Sequence, residues 1–381
     1  MSQGLVERVR RRLVERGADA TAPDVASALR AEGLVLGDDA VLEIVGSLRQ
    51  EMVGVGVLEP LVRDRSVTDV LVVGPREVWL DRGNGLERAD ICFGSADDVR
   101  RLAQRLAAQA GRRLDDAAPT IDARLPDGTR LHAVLPPVAV DSTLISLRVP
   151  QRTSFDIAGL QAAGSIDDVG AEALRSLVKE RINFLVSGGT GSGKTTVLAA
   201  LLGEVPADER LVIVEDSVEL RPDHPHVARM QSRLPNAEGA GEVTLRDLVR
   251  QSLRMRPDRV VVGEVRGAEV VDLLLALNTG HDGCCGTVHA NSAEDVPARL
   301  EALALTAGID RAAVHALMGA GLEAVVHLER TSDGIRRLSA IHSMHRGMDG
   351  LVRTSPVLVR DGDRMRWVDR DPADLPALDA S

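Results

Sequence analysis

The sequence predicts an α/β chain in which a small α+β domain precedes a larger domain built on a mostly parallel sheet, and three observations carry this. Between residues 55 and 150, apolar runs of period two flank a single amphipathic helix, the order of an α+β unit. From 167 to 345, apolar strand runs alternate with helical patterns, which specifies parallel strands covered on both faces. At the head of that second series stands INFLVSGGTGSGKTT (182–196): a buried strand, a glycine-rich turn and the start of a helix.

In chain order, residues 1–54 form a helical region. LVERVRRRLVER (5–16) puts Leu5, Val6, Val9 and Leu13 on one stripe among five arginines, a basic amphipathic helix that either touches anionic lipid or packs on its own domain. A second helix is predicted over 39–53. The α+β domain (55–150) reads as the strands VTDVLVVG and EVWLD, the turn RGNG and a return through Ile91 and Phe93. A helix over 96–110 follows, then strands in TIDARLPDGTRLHAVLPP and STLISLRVP. Residues 151–166 read as a weakly periodic linker. The large domain (167–345) continues from the glycine-rich unit through LVIVED, a helix from Thr244 to Met255, RVVVGEV, a helix over 268–278, CCGTVHA and helices to 321. It closes on an antiparallel hairpin, EAVVHLER with GIRRLSAIHSM, and residues 346–381 read as a small appendage with a disordered tail.

Composition narrows the function classes. The 381 residues allow two or three independent cores. With 57 acidic against 46 basic residues, a nucleic-acid-binding surface over the whole molecule is disfavoured, although a local patch is not. Phe93, Phe155, Phe184, Trp79 and Trp367 are the only aromatics, too few for a base-stacking platform. Cys92, Cys284 and Cys285 have neither disulfide-framework nor metal-site spacing, which predicts reduced cysteines in a cytoplasmic protein. No apolar run approaches eighteen residues and no signal core opens the chain, so a soluble, unexported protein is expected.

Gly188, four residues, then Gly193, Lys194 and Thr195 satisfy G-x-x-x-x-G-K-[ST] in the strand-to-helix context that the pattern requires. Glycines let the loop curl its N–H groups toward one anion, and the helix N-terminus adds partial positive charge. Gly188, Gly189, Thr190, Gly191, Ser192, Gly193, Lys194, Thr195 and Thr196 are therefore the expected nucleotide-binding set. Lys194 would serve the β/γ-phosphates and the Thr195 hydroxyl Mg²⁺. A surface turn that merely contains a lysine is the bland alternative. Apart from Lys179, however, Lys194 is the chain's only lysine among 46 basic residues: a compact point charge is kept where a planar guanidinium would fit badly.

In doubly wound sheets the ligand lies beyond the carboxyl ends of strands. Val260–Val262 run into Gly263-Glu264, making Glu264 the candidate to polarise water, with Gly263 where a Walker B strand usually carries its magnesium-holding aspartate. Glu215 and Asp216, ending LVIVED, could hold magnesium through water and make good that loss. His289 ends CCGTVHA, flanked by Thr287 and Asn291 and preceded by Thr279-Gly280-His281, and could sense a γ-phosphate. Each of these has a structural alternative as a solvated strand end. A zinc site from His281, Cys284, Cys285 and His289 is disfavoured, because adjacent cysteines share a tetrahedral metal poorly.

Together, GGTGSGKTT, VEDSVEL, RMRPDRVVVGEVRGAE and TGHDGCCGTVHANS resemble the Walker A, Asp-box, atypical Walker B and His-box of the type II/IV secretion ATPases. SVTDVLVVGPREVWLDRG, RLPDGTRLHAVLPP and LISLRVP resemble the subfamily that powers Tad (Flp) pilus assembly. The resemblance covers about residues 40–345. It implies a RecA-like motor domain behind a sensor-like N-terminal domain, with ATP and Mg²⁺ in the cleft between them. It also implies a cytoplasmic homo-hexamer under inner-membrane platform proteins, with Glu264, Lys194, Glu215 and His289 as catalytic residues. By position, Arg130 and Arg148 match the family's phosphate-reaching arginines, with Arg124 a third. Arg266 matches its GE-x-R. No nucleic-acid partner is expected, and peripheral membrane contact is possible. The rival readings are an ATP-gated scaffold without sustained turnover and a DNA-transfer motor with the same core.

Overall fold

The computed structural model describes residues 54–368 apart from 65, 84, 151–154, 234, 236–239, 279, 281 and 332–333, together with 9, 12, 22–34, 37 and 40–41. The helices expected at 5–16 and 39–53 fall almost wholly outside these residues. The chain divides into two compact units, Met1–Arg152 and Thr153–Ser381.

In the first unit, α1 (Ala22–Ala31) and the short α2 (Glu59–Arg63) precede β1 (Asp69–Gly74), β2 (Glu77–Asp81), β3 (Leu86–Arg88), α3 (Ala96–Gln109), β4 (Thr120–Arg124), β5 (Arg130–Val134) and β6 (Leu144–Arg148). The strands form one antiparallel sheet ordered β3-β2-β1-β6-β5-β4. The Ser95 hydroxyl accepts the Asp98 N–H at 3.3 Å and starts α3. Val99, Leu102, Ala103, Leu106 and Ala107 then fall on one stripe. That stripe shares a core with Val70 and Val72 of β1, Leu131 and Ala133 of β5, and Ile145 and Leu147 of β6. Period-two burial leaves the alternate positions of those strands, polar and apolar together, on the other face.

The second unit contains α4 (Ile157–Ala162), α5 (Asp168–Lys179), β7 (Phe184–Gly188), α6 (Lys194–Gly203), β8 (Leu211–Glu215), β9 (Val227–Gln231), α7 (Leu245–Ser252), β10 (Arg259–Val265), α8 (Glu269–Leu277), β11 (Cys285–Val288), α9 (Val296–Thr306), α10 (Arg311–Gly321), β12 (Ala324–Arg330), β13 (Arg336–Arg346), β14 (Val352–Asp361) and β15 (Arg364–Trp367). One sheet of nine strands runs β15-β14-β13-β12-β7-β11-β10-β8-β9. From β12 to β9 every pairing is parallel, and from β12 to β15 every pairing is antiparallel. β7 and β8 are buried along their whole length, as strands covered on both faces must be. Phe184 and Val186 enter a core with α4, α5 and α6, whereas Leu185 enters the opposite core with α7, α8, α9 and α10.

Two expectations need correction, and one strand is added. Residues 157–166 are not linker: Ile157, Leu160 and Ile166 are buried in the second unit's core, and Asp156 caps α4 by accepting the Gly159 N–H at 2.7 Å. The sheet does not stop at 345. β14 and β15 extend it to Trp367, burying Val357, Leu358 and Met365, while residues 369–381 lie outside the described set. The edge strand β9 was not anticipated, because VARMQ is only partly buried and shows no strong alternation. The β12–β13 hairpin is antiparallel as predicted. Among the described residues, no helix is long and apolar enough to cross a membrane.

Candidate functional site

Four parallel strands, β7, β8, β10 and β11, deliver the sequence-selected residues to one edge of the sheet, their carboxyl ends. The loop leaving β7 depends on glycine at both ends. Gly188 has φ +145°, and a Cβ there would lie 2.3 Å from the Leu328 carbonyl oxygen. Gly193, with φ +96°, is the left-handed N-cap of α6. Lys194 is 7% exposed, and its ammonium donates to the carbonyl oxygens of Gly188 and Gly189 at 3.0 and 2.8 Å. Beneath the loop, the Ser187 hydroxyl meets His327 Nδ1 at 2.8 Å in a buried pair. His327 sits inside an apolar strand run, and nothing in the sequence marks it out.

Lys194 Nζ also stands 3.3 Å from Nδ1 of His289, just past β11. The other ring nitrogen of His289 is 2.5 Å from Glu264 Oε1, and the second Glu264 oxygen is paired with Arg266. An ammonium has only donors, so Nδ1 accepts from Lys194, while Nε2 lies within ion-pair reach of Glu264 Oε1, a buried oxygen that no aligned donor satisfies. Burial lowers the pKa of His289, and the Lys194 charge lowers it further against the opposing pull of Glu264, so the ring is held toward its neutral form. Burial likewise lowers the Lys194 pKa, opposed by Glu264. Lys194, His289, Glu264 and Arg266 thus form one contiguous chain from three separate segments.

Glu215 and Asp216 have contacts of their own. Glu215 is 3% exposed, and its Oε1 accepts the N–H groups of Glu219 and Leu220, both at 2.9 Å. Its side chain lies over Gly263, where an added Cβ would come within 2.5 Å of Glu215 Cγ. Glycine at 263 therefore has a steric cause: the carboxylate of the neighbouring strand occupies the space that a side chain there would fill. Asp216 Oδ1 accepts the Ser232 hydroxyl at 3.0 Å. Gly263→Ala is expected to destabilise the fold by about 1–3 kcal/mol, the usual cost of overpacking. Adding Glu215→Ala should recover part of that loss in denaturant unfolding. Strictly additive losses would show that the two side chains do not compete.

No three His, Cys, Asp or Glu side chains converge to cage a metal among the described residues, and His281 of the zinc alternative lies outside them. A magnesium ion carried by a nucleotide needs only one or two protein oxygens beside phosphate and water. Thr195, half-buried on the first turn of α6, and the Glu264 carboxylate fit that modest requirement.

In the first unit, sheet register assembles the candidate arginines. Arg124 lies opposite Arg130, Arg130 opposite Arg148, and Arg148 opposite Asp69, a row across four strands. Arg130 grips Asp122 through two contacts of 3.2 and 2.8 Å, and Arg124 donates to the Gly128 carbonyl at 3.1 Å. The Arg148 side chain is exposed and makes no polar contact with any described residue.

Residues 51–345 match the family model described as type II/IV secretion system protein. A Mycobacterium tuberculosis protein provisionally named for conjugal transfer is 54% identical over 329 residues, 85% of this chain and 93% of that one. The type IV secretion system protein PtlH of Bordetella pertussis is 31% identical over 312 residues, 74% of this chain and 91% of its own. The Legionella pneumophila ATPase DotB shares the fold, with a TM-score of 0.53 and 18% identity over 80% of each chain.

Proposed function

The chain belongs to the type II/IV secretion system protein family, with a RecA-like unit that follows a smaller α+β one in the chain, and from that premise we propose that it is an ATP-hydrolysing motor. The contiguous chain Lys194, His289 and Glu264 at the edge of the parallel sheet is the observation that carries this reading.

In the proposed reaction, the Lys194 ammonium moves from the Gly188 and Gly189 carbonyls to the β/γ-phosphates, exchanging neutral acceptors for charged ones. Glu264 orients the attacking water and accepts its proton. His289, bonded to Lys194 and adjacent to Glu264, reports loss of the γ-phosphate by re-forming its bond to Lys194. Arg130 and Arg148 supply positive charge to the transferred phosphoryl group. Magnesium, held through Thr195 and water, would neutralise the developing phosphate charge. Glu215 is assigned to bracing the 216–220 turn rather than to the metal.

We further read the protein as a cytoplasmic homo-hexamer that works against inner-membrane platform proteins to assemble a Tad/Flp-type pilus or to drive type II/IV secretion. Phosphate release from MgATP by the purified protein tests the activity. Binding without release would instead favour an ATP-gated scaffold. Lys194→Ala is expected to weaken MgATP binding about 10–100-fold by calorimetry, the worth of one or two charge-assisted hydrogen bonds. Unchanged affinity would remove Lys194 from the site.

The M. tuberculosis relative supports a second reading, a conjugal-transfer motor with the same engine. The net charge of −11 and scarcity of aromatics weigh against direct DNA contact. DNA-stimulated ATPase activity that falls steeply with salt would decide for it.

A further inference from the structure

We propose that Arg336 is a further phosphate-chain contact of the nucleotide site, an inference that rests on the ATP-binding reading above. β12 is hydrogen-bonded alongside β7, with Leu328 opposite Gly188, the residue at which β7 gives way to the glycine-rich loop. β12 then continues through Glu329 and Arg330, turns, and returns with Arg336 opposite Arg330. The hairpin therefore overhangs the loop.

The stem of Arg336 runs along that loop: a Cβ built on Gly193 would lie 3.3 Å from its Cδ, 3.7 Å from its Cβ and 4.0 Å from its Cγ. Gly193 is the residue before Lys194 and the N-cap of α6. The other three arginines of the hairpin are engaged, Arg346 with the Gly350 carbonyl at 3.0 Å. Arg330 donates to the Gly334 carbonyl at 3.4 Å, and Arg337 pairs with Asp363 at 2.9 Å. Arg336 is exposed and makes no polar contact with any described residue.

A guanidinium that only balanced surface charge would need no fixed stem. Here three methylene-bearing carbons pack on the backbone turn that presents N–H groups to an anion, while all five donors remain unspent. A planar fork beside such a turn suits two phosphate oxygens at once, complementing the point charge of Lys194. The ligand part it serves is the polyphosphate, not the base.

The test measures MgADP affinity of the full chain by calorimetry, and competition by inorganic tripolyphosphate and by adenosine. Arg336→Ala is expected to weaken MgADP and tripolyphosphate about tenfold each, leaving adenosine unchanged, with Arg336→Lys in between. Arg337→Ala, the same charge change one residue away, should stay close to wild type. Because the Arg336 side chain is exposed, the variant should keep the wild-type thermal midpoint. Wild-type affinities in Arg336→Ala would overturn the proposal, as would an equal loss in Arg337→Ala or a loss confined to adenosine. Failure of the unmodified protein to bind MgADP would instead overturn the ATP-binding reading, and this inference with it.

Discussion

Glu264→Gln is expected to lower steady-state phosphate release by about 10²–10⁴, the usual worth of a positioned general base, while MgATP still binds. The substitution is informative because it is nearly isosteric. Glu264 sits between Nε2 of His289 and Arg266; the single oxygen of an amide can face one of them, at the cost of the other contact. What it cannot do is take a proton from water. Shape and the loop that holds Lys194 should survive, so the loss should fall on kcat rather than on binding. Wild-type turnover by this variant would remove Glu264 from the chemistry and leave the histidine chain as an architectural brace.

The other large loss is expected at Arg148, where Arg148→Ala should reduce turnover by about 10³–10⁵, the range for an arginine that stabilises a transferring phosphoryl group. Arg148 and Arg130 face each other across β5 and β6, but only Arg130 is committed to Asp122. Removing Arg148 therefore leaves no described acceptor unpaired and should not alter the unfolding midpoint. Arg130→Ala should cost stability as well, because it strips Asp122 of its partner; for an exposed pair that share is small. Single-turnover hydrolysis separates the two effects, and an Arg148→Ala enzyme as fast as wild type would exclude Arg148 from catalysis.

Much of the site was legible in the sequence because its chemistry is local to strand ends. The glycine-rich loop, Glu264 and His289 each follow directly on a buried apolar run, so one geometric rule about parallel sheets brought them together. The two strands that lengthen the sheet past 345 were not legible, since their burial comes from neighbours far away in the chain. The same holds for α4, whose Ile157 and Leu160 look like stray apolar residues until α5 and α6 pack around them. The arginines form a row only through cross-strand register, which spacing along the chain does not encode. The surroundings of Glu215 were hidden for a related reason: its partners, the backbone of 219 and 220, are close in sequence, but Gly263 is reached only through the pairing of β8 with β10.

That last contact reaches beyond this molecule. Positions 215 and 263 share a single volume, large enough for one side chain between two adjacent strands. Relatives that restore an acidic residue at the second position should have shortened the first, and those that keep the long carboxylate should keep a bare backbone beside it. Exchange between the two arrangements would have to pass through a crowded or hollow intermediate, which makes the pair a slow marker of descent within the family.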